Sequence, residues 1–181
     1  ALPIFGFHAE YTTEIKILEK IAEISRKYKA PVSAHCAETK KEVEECIKRH
    51  GKTPVELFND LGLLNYGGSL FHCNYLSERD IEIIKEKNIY VVTNPASNCK
   101  LASGIAPIDR LLKEGANIAL GTDGSASNNA LDMFREMYLV TVLQKVVTEN
   151  AAALPAEKVI EMACCKGAEA MGIDSDCLRE G

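Results

Sequence analysis

The chain has 181 residues, 46% of them hydrophobic, with 21 Lys and Arg against 26 Asp and Glu for a formal net charge of -5. That is enough apolar material for one globular core, and the mild, interspersed charge excludes the basic footprint of a nucleic-acid binder or a polybasic membrane patch. No apolar run approaches the roughly 20 residues that a bilayer span needs.

The opening ALPIFGFHAEYTTE lacks the basic region and cleavage site of a signal peptide. Seven cysteines, an odd number with no CxxC pair, predict reduced thiols of a cytoplasmic protein rather than a disulfide framework or a zinc ribbon. The adjacent Cys164 and Cys165 sit in an apolar helical pattern, where cysteine acts as a small hydrophobe.

In chain order, short apolar runs alternate with longer amphipathic ones. Residues 4–7 predict a strand, and Thr12 and Thr13 cap a helix over EIKILEKIAEISRKYK that carries Ile15, Leu18, Ile21 and Ala22 on one face. Residues 31–34 predict a second strand, followed by the helix KKEVEECIKRHG and a second one that Thr53 and Pro54 start. Residues 69–71 predict a third strand, and Ser77 with Asp80 opens the next helix as a capping box.

Residues 89–92 read as the fourth and clearest strand. After a long loop comes the helix IDRLLKEG, ended by Gly115, and then a fifth strand over residues 117–120. ALDMFREMYLVTVLQKVV predicts a long, largely buried helix, and LPAEKVIEMACCKGAEAMG one more. The class is α/β: parallel strands joined by right-handed crossovers and covered on both faces. Five such units fit an open doubly wound sheet or five eighths of a (β/α)8 barrel, which typically takes about 250 residues.

In either architecture, chemistry gathers at the carboxyl ends of the strands. His8 follows the first strand, His35 and Glu38 the second, His72 the third, the TNPASN loop of residues 93–98 the fourth, and Asp123 in GTDG the fifth. Only His50 among the four histidines lies elsewhere, at a charged helix end. Each of these residues alone also reads as a hydrogen-bonded turn or strand-end residue; their joint placement predicts one shared site.

Two imidazoles and an aspartate at one mouth suit a divalent metal of the Zn or Fe type. Glu38, a turn beyond His35, is placed to take a proton from a bound water. Cys36 and Cys73 each neighbour a strand-end histidine and should point away from the site. The glycines of GTDGSASNN and ASGIAPI lack the spacing and the lysine of a phosphate loop.

From about residue 7 onward, FHAEYT, HCAET, FHC, NPASNCKLASGIAPI, GTDGSASNN and LPAEKVIEMACCKGAEAMG closely resemble the amidohydrolase superfamily, in particular its branch of methylthioadenosine/S-adenosylhomocysteine deaminases, chlorohydrolases and guanine deaminases. The resemblance implies a metal-dependent (β/α)8 barrel that hydrolyses C–N bonds, and in some members C–Cl bonds, of heterocycles. It implies one Zn or Fe ion per intact chain, a small heterocyclic substrate, no nucleic-acid or membrane partner, and a homo-oligomer as a common state.

Residue by residue, the resemblance implies that His35 is the metal ligand of the fifth barrel strand and Asp123 that of the eighth, Asp123 also serving catalysis. Glu38 becomes the proton shuttle to the substrate ring, in contact with substrate. His72 becomes the sixth-strand histidine that touches the metal or polarises its water. His8, in HAEYT where relatives often have H-x-P-Y, becomes a substrate-binding residue.

Residues 1–181 would then be a partial barrel domain, about strands four to eight plus C-terminal helices. The family's first-strand H-x-H pair and its β-sandwich are missing, with the chain ending at GIDSDCLREG where the sandwich resumes, and Thr93 stands where relatives often carry a histidine. The expected function is hydrolytic deamination of a purine nucleoside such as S-adenosylhomocysteine or methylthioadenosine, carried here by a fragment. The alternatives are a chlorohydrolase, a guanine-type deaminase, or a folded fragment without catalysis.

Overall fold

A computed structural model describes residues 3–173. Its strands are β1 (Phe5–Gly6), β2 (Val32–Cys36), β3 (Gly68–His72), β4 (Tyr90–Thr93) and β5 (Asn117–Leu120). Its helices are α1 (Ile15–Tyr28), α2 (Lys40–His50), α3 (Pro54–Asp60), α4 (Glu78–Glu86), α5 (Pro95–Lys100), α6 (Ile108–Lys113), α7 (Ser125–Asn128), α8 (Met133–Val147), α9 (Ala156–Ala163) and α10 (Cys165–Ala170). All four pairings are parallel and the spatial order is β1-β2-β3-β4-β5. A doubly wound sheet reverses its strand order at a switch point. No reversal occurs among the described strands, and a run of sequential parallel neighbours suits an arc of a barrel.

Side chains alternate across this arc. Val32, Ala34, Leu70, Val91 and Ile118 enter one core with Leu18 and Ala22 of α1, Phe58 of α3, Ile81 and Ile84 of α4 and Leu111 of α6. Phe58 is fully buried and meets Phe7 edge to face, with ring centroids 5.1 Å apart. Capping boxes at Thr39 with Glu42, Thr53 with Glu56 and Ser77 with Asp80 start α2, α3 and α4. Gly68 opens β3 at φ 129°, where a Cβ would stand 1.8 Å from the Val32 carbonyl oxygen, so only glycine permits that approach.

Among the described residues, the opposite face is covered only in part. Ser33, Phe71, Val92 and Ala119 line a concavity of about 540 Å³, bordered by Ala163, Gly167 and Met171 from the end of the chain.

Several local expectations change. β2 and β3 extend through Cys36 and His72, so the ladder carries the two histidines themselves. The N-cap of α1 is Glu14, with no side-chain cap bond, because Thr12 belongs to a 3-10 turn over Glu10–Thr12. The stretch read as a loop after β4 contains α5, whose Pro95 supplies the preset φ of a first helical turn.

α8 buries only Glu136, Val140 and Gln144, while Phe134, Tyr138 and Val146 are exposed. The C-terminal helix breaks in two at Cys164, which is exposed. Cys165 is disulfide-bonded, against the expectation of reduced thiols throughout. The terminal GIDSDCLREG lies outside the described residues from residue 174 on. No helix among the described residues is long and apolar enough to cross a membrane.

Candidate metal centre

The register Cys36↔His72 sets the ends of β2 and β3 side by side. His35 lies one residue back on the inward face. Strict alternation from Leu70 would send His72 to the helix-covered side, but His72 has a φ of 70° and Cys73 one of 51°. This left-handed pair, unusual for non-glycine residues, ends the strand and redirects the chain. The His72 ring is thereby stacked on His35, with centroids 5.2 Å apart and planes 27° from parallel.

From the end of β5, Asp123, itself at φ 59°, brings its Oδ1 to 3.9 Å from His35 Nε2. One ligand atom from each of His35, His72 and Asp123 lies within 4.8 Å of the other two. Glu38 completes the group, with Oε2 3.8 Å from His72 Nε2.

Each member is held from behind. The His8 carbonyl receives His35 Nδ1 at 3.0 Å, so His35 presents Nε2 to the centre. Ser97 and Ser127 both donate to Asp123 Oδ2 at 2.6 Å. Burial alone would push the Asp123 carboxyl up; these two hydroxyls, the Gly124 N–H and the nearby His72 outweigh it and hold the carboxyl below the usual range. The group is therefore ionised and presents Oδ1.

Glu38 Oε1 accepts from Ser103 at 2.8 Å, leaving Oε2 toward the centre. The turn that carries Glu38 is fixed by Glu42, whose carboxylate accepts from the N–H groups of Ala37, Glu38 and Thr39. Burial nonetheless raises the Glu42 carboxyl above the ordinary range, against the lowering by those bonds.

His8 is exposed at the mouth, its ring 4.7 Å from that of His35 and its Nδ1 3.0 Å from Thr12 Oγ1. His50 stays away from the centre and, with Arg49, binds the buried Glu10 carboxylate. Cys36 and Cys73 are buried in the core rather than in the mouth; burial and the contact with Cys73 push the Cys36 thiol well up, which disfavours a thiolate nucleophile.

All five residues singled out by the strand-end rule thus meet at one place. Ser97, Ser103, Ser127, Asn74 and Asn98, which hold them, carried no separate signal in the sequence; the TNPASN stretch marked only the right strand end.

The donor set answers whether a metal fits. Two imidazole nitrogens and an ionised carboxylate oxygen converge, and His72 Nε2 is a buried nitrogen without a hydrogen-bond partner among the described residues. An orphaned buried polar atom costs about 1–3 kcal/mol unless something outside the protein satisfies it. A divalent ion of the zinc class would do so.

Comparison with known proteins agrees. At 43% identity over 171 residues, 94% of this chain matches 40% of a 5-methylthioadenosine/S-adenosylhomocysteine deaminase of Thermoanaerobacter pseudethanolicus. At the same identity, 97% of the chain matches 41% of a 5'-deoxyadenosine deaminase of Methanothermobacter thermautotrophicus. The crystal structure of an adenosine deaminase from Xanthomonas campestris with bound zinc superposes with a TM-score of 0.89 at 37% identity, over 93% of this chain and 38% of that one. The chain spans about two fifths of the length of these relatives. Residues 2–181 match the model of the amidohydrolase family, and the chain belongs to that family.

Proposed function

We propose that the chain is the C-terminal arc, strands four to eight, of a metal-dependent barrel that deaminates the adenine ring of a purine nucleoside of the methylthioadenosine or S-adenosylhomocysteine type. The observation that carries this is the convergence of His35, His72 and Asp123 within 4.8 Å beside Glu38. Two of the curated relatives at 43% identity are named for adenine nucleosides, which favours these over guanine or a chlorinated ring.

His35 and His72 through Nε2 and Asp123 through Oδ1 would hold zinc or iron. When bound, the ion supplies Lewis acidity that brings the pKa of a water toward neutrality. The proton work falls to the chain itself. Glu38 Oε2 takes a proton from the attacking water and delivers it to the ring nitrogen next to the carbon that bears the amino group.

Oxygen bonds to that carbon, with Asp123 accepting a hydrogen bond from the water. The second water proton then moves to the amino nitrogen, the C–N bond breaks and ammonia leaves. Amine plus water has become an oxo group plus ammonia. His8, at the mouth, contacts the substrate.

The test uses the complete gene product, zinc-loaded, with adenosine, methylthioadenosine, S-adenosylhomocysteine, guanine and a chlorotriazine. Ammonia should come from the adenine nucleosides. Glu38→Gln should lower turnover by about 10²–10⁴-fold with zinc content unchanged. Near-normal turnover in that variant would remove Glu38 from the mechanism, and chloride release or guanine turnover alone would move the activity to another branch of the family.

A further inference from the structure

His72 is useful to the centre only if its Nε2 carries a lone pair rather than a proton. We infer that Asn98, anchored by Asn74, is a positioning residue that fixes His72 as the Nδ1–H tautomer and so keeps Nε2 bare. The inference rests on the metal-centre reading above for its purpose, though not for its geometry.

The geometry is a chain of hydrogen bonds whose direction is set at one end. The Glu38 main-chain carbonyl can only accept, and it receives Asn74 Nδ2 at 2.9 Å. That fixes which end of the Asn74 amide faces which way, so Asn74 Oδ1 is the atom that meets Asn98. Asn98 Nδ2 donates to it at 2.9 Å. Asn98 must therefore turn its Oδ1 to His72, and it does so at 2.7 Å from Nδ1.

An amide oxygen cannot donate, so Nδ1 is the donor and carries the ring proton. Asn74 and Asn98 are 6% and 2% exposed, so water does not compete at either link.

Two neighbours pull the other way. Asn94 Nδ2 lies 3.5 Å from Nδ1, and a donor there would favour an unprotonated Nδ1. Glu38 Oε2 lies 3.8 Å from Nε2, and a carboxylate there would favour Nε2–H. Both separations are at or beyond the limit of a hydrogen bond, whereas 2.7 Å is a short one, so the Asn98 contact decides. The same relay ties the ring of His72 to the main chain of Glu38, so the ligand and the proton shuttle share one support.

The tautomer is read in metal-free protein from ring 15N shifts of 15N-histidine-labelled chain, at a pH where the imidazole is neutral. Wild type should show His72 with the proton on Nδ1 and a bare Nε2. Asn98→Ala should shift the ring toward Nε2–H and weaken zinc binding, followed by competition with a chromophoric chelator, by about 10–100-fold. Asn98→Asp keeps an acceptor facing Nδ1 and should retain the tautomer.

The inference is overturned if wild-type His72 carries its proton on Nε2, a measurement that needs no variant to fold. It is equally overturned if Asn98→Ala keeps both the wild-type tautomer and the wild-type zinc affinity. The expected tautomer, together with no zinc binding by the complete gene product, would sink the metal reading while leaving the assignment of the tautomer intact.

Discussion

The ends of β2 and β3 present the same chemical group by different means. His35 is oriented by a main-chain carbonyl, that of His8, and its side chain is 28% exposed. His72 is oriented by a side-chain amide, that of Asn98, and is 1% exposed. The first arrangement follows from strand pairing, because the loop after β1 lies beside β2 and the same His8 carbonyl also receives the His35 N–H at 2.8 Å. The second has to be built from side chains far apart in sequence. Orientation from the backbone survives substitution of any neighbour; orientation by Asn98 does not.

That contrast is sharpest when the ligands themselves are removed. His35→Ala and His72→Ala should each weaken zinc binding by more than the roughly 10–100-fold that loss of a supporting residue costs. His72→Ala should in addition leave Asn98 Oδ1 buried without its partner, a penalty of about 1–3 kcal/mol that His35→Ala escapes, since the His8 carbonyl keeps its main-chain bond. Zinc titration and denaturant unfolding of the two variants separate these effects. Equal stability in both would contradict the difference drawn between the two sites.

Next in size is the support of Asp123. Ser97 and Ser127 both bind Oδ2, so either hydroxyl alone can keep the carboxylate from rotating. The single variants Ser97→Ala and Ser127→Ala should therefore be mild. The double variant should lose about 10–100-fold in zinc affinity, more than the two singles combined, since the groups share one partner. Additive singles would mean that each serine acts independently.

Much of this site was legible in the sequence because it obeys two local rules. Apolar runs separated by amphipathic helices located all five strands, and reactive side chains fell at their carboxyl ends. The strand limits were read short at Ala34 and Phe71 because a search for apolar residues stops where histidine begins, although His35 and His72 are still in the ladder.

The supporting residues were illegible for a different reason. Ser103 lies 65 positions from Glu38 and Asn98 lies 26 from His72, and serine or asparagine in a turn is unremarkable in composition. α5 was hidden by the same letters, since Pro, Asn and Ser usually mark loops. α8 misled in the opposite sense: its apolar residues lie all round the helix, and burial was read where Phe134 is 81% exposed.

The smallest effect concerns the turn on which Glu38 stands. Glu42 accepts three N–H groups there, yet burial raises its folded-state pKa above the unfolded value. The folded chain therefore binds the Glu42 proton more tightly than the unfolded chain does. The stability that this proton contributes is fully present below the unfolded pKa, falls as pH rises toward the raised folded value, and is lost above it.

Asp80, also raised by burial, gives a slope of the same sign, and Asp123, lowered, gives the opposite one. Only a difference between variants isolates Glu42. Urea unfolding of metal-free wild type and Glu42→Gln across the carboxylate range should show a shallower loss of stability with rising pH in the variant. A steeper loss would mean that the three N–H bonds outweigh burial. Glu42 would then be an anchor favoured in its charged form, and the β2 end would be held by charge as firmly as the β3 end is held by amides.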